Sequence, residues 1–161
     1  MTIEALFGLS VLMSFLAFGI VTKLYIWPRL KVMRREEALI PLLVPHMFRF
    51  VGLSFLVPGV VSPSLSSAFA VPAAYGDLVA AILAVVAISA LSARASWAIA
   101  IVWVFNVWGV VDLLHAIYQG QVGVQIGPGS LGAAFYIPTV VVPPLLVTHV
   151  LIFWLLLRPK R

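Results

Sequence analysis

The sequence predicts an all-α integral membrane protein, a single bundle of five transmembrane helices with its N-terminus outside and its C-terminus cytoplasmic. Three observations predict it. The chain of 161 residues is 63% hydrophobic and only 9% charged, against roughly 25% charged residues in soluble domains, so a soluble core could not absorb its apolar surface. It contains five apolar runs of the roughly 20 residues that a bilayer requires. Its basic residues gather in alternate connections, as they do in the cytoplasmic loops of membrane proteins.

The first run covers about residues 3–27 and is interrupted by little more than Ser10, Ser14 and Thr22 before Lys23. It lacks a basic leader and a small-x-small cleavage pattern, which marks it as a retained helix. RLKVMRREE (29–37) reads as a short charged loop. The second run covers about 38–61. SPSLSSAFAVPA (62–73) reads as an apolar loop at the interface. The third covers about 75–92 and the fourth about 97–118, with ARAS (93–96) as a tight connection. QGQVGVQIGPGS (119–130) reads as a glycine-rich loop with room for a small hairpin. The fifth covers about 131–157, and RPKR closes the chain.

Nine of the ten Lys and Arg residues (Lys23, Arg29, Lys31, Arg34, Arg35, Arg94, Arg158, Lys160 and Arg161) fall on one side of this arrangement. The loops at 62–73 and 119–130 contain none. The net charge of +5 is therefore a topological signal rather than a nucleic-acid surface. Tyr25, Trp27, Trp97 and Trp154 mark the cytoplasmic interface; Tyr75, Tyr118 and Tyr136 mark the outer one. The chain has no cysteine, which excludes disulfides, thiolate metal sites and a cysteine nucleophile. A bacterial plasma membrane is the expected location, with the lipid bilayer as the first partner.

Pro41, Pro45 and Pro58 lie in the second run and Pro138, Pro143 and Pro144 in the fifth. Each removes a backbone donor, and the freed carbonyls must be satisfied inside the bundle. Kinks at these prolines serve packing or shape a cavity. Ala80, Ala84, Ala87 and Ala90 form a small-residue face on the third helix that permits close contact. The first helix carries no charged interior residue and is expected to pack outside or to mediate oligomer contact.

The tenth basic residue, Arg49, belongs to no loop. It lies in PHMFRFVG (45–52), inside an apolar run, where a charge is costly. Helical rise puts His46, Arg49, Asn106 and His149 in one layer on helices two, four and five, the candidate ligand-binding set. His46 and Arg49 share a face at i, i+3, as do Asp112 and His115. Tyr75 and Asp77 stand at the outer mouth of helix three. Three readings of Arg49 stand side by side: an ion pair with Asp112 that orients two helices, a cavity cation for an anionic group, or a side chain that snorkels toward an interface. His46 and His149 at matching depth suit the axial ligands of a b-type haem with Arg49 near a propionate, or a quinone head group. They equally suit hydrogen bonds to carbonyls freed by proline. Asp112 and His115 are a structural pair or steps in a proton path. No metal site is expected, since His115 lies too high to join His46 and His149.

FRFVGLSFLVPGVV followed by PAAYGDLVAAILAVVAIS resembles the pattern of DoxX-type small membrane proteins: an arginine and two glycines in one helix, then an acidic residue opening the next. The resemblance covers about residues 48–93. DoxX-type proteins usually have four spans rather than five, and Asp77 stands near the helix start. The resemblance implies a redox-associated accessory membrane protein and assigns no active-site residue.

Three functions are expected on these grounds. One is a binding protein for a haem, quinone or other anionic lipid-phase ligand. Another is a non-catalytic accessory subunit of a larger membrane complex. The third is a small proton-coupled transporter acting as an oligomer. No catalytic motif is present; Ser54 and Thr148 are as ready to bond backbone carbonyls as to react.

Overall fold

The computed structural model describes residues 1–159; Lys160 and Arg161 of the basic tail lie outside the described residues. The described chain is all-helical, with five helices long and apolar enough to cross a membrane. They are α1 (Ile3–Val32), α2 (Arg35–Leu56), α3 (Ser67–Ser92), α4 (Ala98–Gly123) and α5 (Ile137–Leu157).

The boundaries differ from the sequence expectation at five places, each for a local reason. The charged stretch 29–37 is almost wholly helical, because α1 runs to Val32 and only Met33 and Arg34 separate it from α2. The second span ends at Leu56, short of Pro58. Val57, the residue before that proline, is extended at φ −91°, ψ 116°, the conformation proline imposes on its predecessor. The third span begins eight residues early. Ser66 caps α3 by accepting a hydrogen bond from the Ala68 amide at 3.3 Å, and Pro72 is carried inside the helix at the loss of one backbone hydrogen bond. The fourth helix continues as a π-turn over Gln119–Gly123, into the stretch that reads as a glycine-rich loop.

The fifth span is also divided. Pro128–Phe135 forms a 3₁₀ segment broken at Gly132, whose φ of 54° and ψ of −133° are accessible to glycine and little else. Ala133 then donates to the Val60 carbonyl at 2.8 Å and Ser62 to the Ser130 carbonyl at 3.0 Å, tying this segment across the α2–α3 loop.

The unusual element is α2. From Val44 it winds as a 3₁₀ helix through Leu56, 13 residues, where runs beyond three or four are uncommon. Its buried residues are His46, Arg49, Gly52 and Phe55, spaced by three. Nine residues are about two and a half turns of an α-helix, which would put His46 and Phe55 on opposite faces. They are about three turns of a 3₁₀ helix, which puts all four in one row. The winding therefore turns a period of three in the sequence into a single inward face. It also lengthens the helix: at about 2.0 Å per residue the segment spans about 26 Å.

Two apolar clusters hold the bundle, one toward each end. At the end bearing most basic residues, Leu39, Leu42 and Leu43 of α2 meet Ala84 and Ala87 of α3, Val102 and Phe105 of α4, and Ile152 and Leu155 of α5. At the other, Phe55, Phe69, Ala73, Leu131 and Ile137 pack together. The polar side chains lie between them. The α3 alanine face is fully used: Ala80, Ala84, Ala87 and Ala90 are all buried. Over Ile3–Val21, α1 has no buried residue and lies against α5. There Ser14 donates to the Val140 carbonyl at 3.4 Å, an acceptor that Pro144 leaves free.

Enlarging the α3 alanine face will therefore cost stability. Ala84→Leu forces extra carbons into a filled contact and is expected to lose about 1–3 kcal/mol, whereas Val85→Leu, on the exposed side of the same helix, changes little. Thermal unfolding of both variants in detergent measures the difference.

Candidate functional site

The inward row of α2 places Arg49 at the centre of the molecule, 1% exposed. Its Nε donates to Asp77 Oδ1 on α3 at 2.7 Å and its Nη2 to Asp112 Oδ2 on α4 at 2.5 Å. Its Nη1 reaches the Gly109 carbonyl at 3.3 Å and His149 Nε2 on α5 at 3.4 Å. One side chain thus bonds three other helices. Charge-assisted hydrogen bonds of this length are the strong ones, and the arrangement compensates a guanidinium that could not otherwise be buried.

The sequence expectation for Asp77, the outer mouth beside Tyr75, is corrected here: Asp77 is buried against Arg49. The reason is the early start of α3. With Ser67 as its first residue, Asp77 lies about 15 Å into the helix at a rise of about 1.5 Å per residue. Tyr75 remains on the exposed surface.

The second half of the cluster is a pair of histidines. His149 Nδ1 lies 2.7 Å from Asn106 Oδ1, and Asn106 Nδ2 donates to the His149 carbonyl at 3.3 Å. The asparagine amide therefore spends its donor on the backbone and turns its acceptor to the ring. That places the imidazole proton on Nδ1 and leaves Nε2 to accept from Arg49. His46 Nε2 lies 2.9 Å from Thr148 Oγ1. The threonine hydroxyl is also within 3.0 Å of the Pro144 carbonyl and 2.9 Å of the Leu145 carbonyl. Donating there, it accepts from His46 Nε2–H, and His46 Nδ1 has no partner among the described residues. The two rings lie against each other with centroids 4.3 Å apart, and Phe105 stacks on His149 at 5.3 Å.

The four residues expected in one layer are therefore brought together, with Asp77, Asp112 and Thr148 added. His115 is not part of the cluster: it is exposed and lies 3.4 Å from Gln119 Nε2. It lines a surface groove between α3 and α4 that also includes Tyr75, Trp108 and Asp112. Among the described residues no group of three or more His, Cys, Asp or Glu could hold a metal ion.

Three glycines complete the site, and a reading of the sequence by charged and polar residue types passes over them. A Cβ on Gly52 would collide with the Asp77 carboxylate, one on Gly76 with the Asp112 carboxylate, and one on Gly109 with His149 and Arg49. Each polar group rests on bare backbone of a neighbouring helix. The signal available was spacing: Gly52 comes after Arg49 by the same three residues that separate Arg49 from His46.

Beside the cluster is a cavity of about 220 Å³. Phe55, Phe69 and Ala73 line it from α2 and α3, Leu113 and Ala116 from α4, Pro138 and Val142 from α5, and Phe7, Val11 and Phe15 from α1. Its charged lining residues are Asp77 and Asp112. Hydrophobic walls with a few placed polar groups are the usual make-up of a small-molecule site.

Two sets of variants separate the roles of these parts. Gly52→Ala, Gly76→Ala and Gly109→Ala are each expected to cost about 1–3 kcal/mol by overpacking. Gly19→Ala, with nothing within 4 Å, is expected to be neutral or mildly stabilising. Arg49→Met strands two carboxylates and is expected to cost about 3–5 kcal/mol. Chemical or thermal unfolding in a lipid nanodisc reports all five.

No curated protein and no solved structure matches the chain. Residues 6–157 match the family model described as Domain of unknown function (DUF8737), and the chain belongs to that family.

Proposed function

We propose that the protein is an integral membrane protein that binds an amphipathic lipid-phase molecule in the cavity beside Arg49, Asp77 and Asp112. One observation carries the reading: a space walled by aromatic and aliphatic side chains ends on two carboxylates in the middle of the bundle. Apolar walls alone would be a packing defect. Carboxylates alone would be a structural clasp. Together they match a molecule with an apolar body and a polar end. The size fits a ring or a short stretch of chain, since about 150 Å³ already accommodates benzene, with the rest of the molecule extending toward lipid.

The proposed orientation is N-terminus outside and C-terminus cytoplasmic, in a bacterial plasma membrane. Lys31, Arg34, Arg35 and Arg158 surround one concavity at one end of the bundle, and Arg94 lies in the α3–α4 turn, which supports that orientation through the positive-inside rule. Trp27 and Trp154 pack together there at 4.6 Å, with Lys31 over the first ring and Arg158 over the second, the composition of an interfacial belt.

A haem held between His46 and His149 is not supported. An axial pair must hold an iron between the two rings, and these rings are in contact. An accessory redox role, as the DoxX-type resemblance implies, is compatible with a lipid-soluble quinol as the occupant.

Filling the cavity tests the reading. Wild-type protein released from detergent is expected to carry an amphiphile adduct by native mass spectrometry. Ala73→Phe, or the milder Ala116→Leu, is expected to lose it, while Val85→Phe on the exposed face of α3 keeps it. An adduct that persists unchanged in both cavity variants sinks the proposal. For topology, single cysteines at exposed Ser64 and Ser96 in this cysteine-free chain should label with an impermeant maleimide from the outside only at position 64.

A further inference from the structure

We infer that the molecule the cavity takes has a hydrogen-bond-donating head, a primary amine or a hydroxyl, on an apolar body. The inference rests on the cavity being a binding site and concerns which chemistry it accepts.

The charges at its floor decide the matter. Arg49 is the cation of the cluster, and four hydrogen bonds commit it to Asp77, Asp112, Gly109 and His149. It is absent from the cavity lining, whereas both carboxylates are present in it. A ligand therefore meets the acidic side of the ion cluster. With both carboxylates ionised and one guanidinium between them, the formal charge of the triad is −1.

The oxygens agree. Asp77 uses Oδ1 for Arg49 and Asp112 uses Oδ2, which leaves Asp77 Oδ2 and Asp112 Oδ1 without a hydrogen bond among the described residues. Each rests on a glycine, Gly52 and Gly76 respectively. Neither is an enclosed orphan: among the described residues, the fully enclosed side-chain polar atoms without a partner are Thr22 Oγ1 and His46 Nδ1. Both carboxylate side chains keep a small exposed fraction, 11% each, and both residues border the cavity. Asp112 also borders the groove that holds His115, so Asp77 is the carboxylate that faces the cavity alone.

Ionised carboxylates only accept hydrogen bonds. An amine or hydroxyl placed there supplies what they lack. A carboxylate or phosphate head would bring a further negative charge to an acidic, weakly screened site. A carbonyl head such as that of a quinone would set acceptor against acceptor, whereas a quinol presents two hydroxyls. The walls, with Phe55, Phe69, Phe7 and Phe15, take the apolar body, and their aromatic faces also favour a cation.

Three probes of equal chain length provide the test: decylamine, decanol and decanoate, titrated into the wild-type chain in nanodiscs of zwitterionic lipid. Binding is read from thermal stabilisation and from displacement of the co-purifying adduct. Decylamine and decanol are expected to bind at least ten-fold more tightly than decanoate, and Ala73→Phe is expected to abolish all saturable binding. Asp77→Asn is expected to reduce the preference of the amine over decanoate while decanol still binds. Decanoate binding as tightly as decylamine, with both lost in Ala73→Phe, overturns the head-group inference and leaves the cavity reading intact. Failure of all three probes to bind overturns both. The comparison among probes uses the wild-type chain, so it stands even where a variant does not fold.

Discussion

The ion cluster of Arg49 with Asp77 and Asp112 is the constraint around which the other features are arranged. A guanidinium in an apolar bundle is tolerated only if its donors are met by charge or by carbonyls. Meeting them fixes the positions of α3 and α4 against α2 and draws in His149 from α5. It requires carboxylates close to the axis, hence glycine backbone where they rest. It also requires the 3₁₀ winding of α2, because only a three-residue turn keeps His46, Arg49, Gly52 and Phe55 on one face. Removing any one of these conditions leaves a buried charge without its partner.

Much of the architecture was legible because its causes are compositional. Five apolar runs need no knowledge of packing. The polar layer was legible for the same reason: a charged or imidazole side chain inside an apolar run has to be met by protein. Partners were harder. Asp112 was available as the acidic residue within a span, but Asp77 was hidden, because Pro72 reads as a breaker before α3 rather than as a residue inside it. Proline ends a helix at position 58 and is absorbed at position 72. The difference lies in the residues downstream, a Gly59 turn in one case and a long alanine-rich helix in the other. Moving that boundary by eight residues carries Asp77 from the rim to the centre.

The glycines and the cavity were illegible for a different reason. A glycine that leaves room for a neighbour has no side chain of its own to announce the contact, and its meaning depends on a residue far away along the chain. A cavity is the property of five helices at once. Phe7, Phe55, Phe69 and Pro138 are ordinary apolar residues on their own helices and become a wall only when α1 is laid against α5.

The separation of the ion partners along the chain bears on biogenesis. Asp77 lies 28 residues after Arg49, and Asp112 lies 63 after it. As the chain emerges, α2 exists before either of its counter-charges. Alone in a bilayer its guanidinium would cost about 2.5–3.5 kcal/mol even on the insertion-based scale, and an α-helical α2 would spread the row His46 to Phe55 around its circumference. The first partner able to relieve both is α3, which supplies a carboxylate and an alanine face. In the membrane location proposed above, the smallest unit that would enter lipid at low cost is therefore the α2–α3 hairpin, with α4 completing the charge balance afterwards.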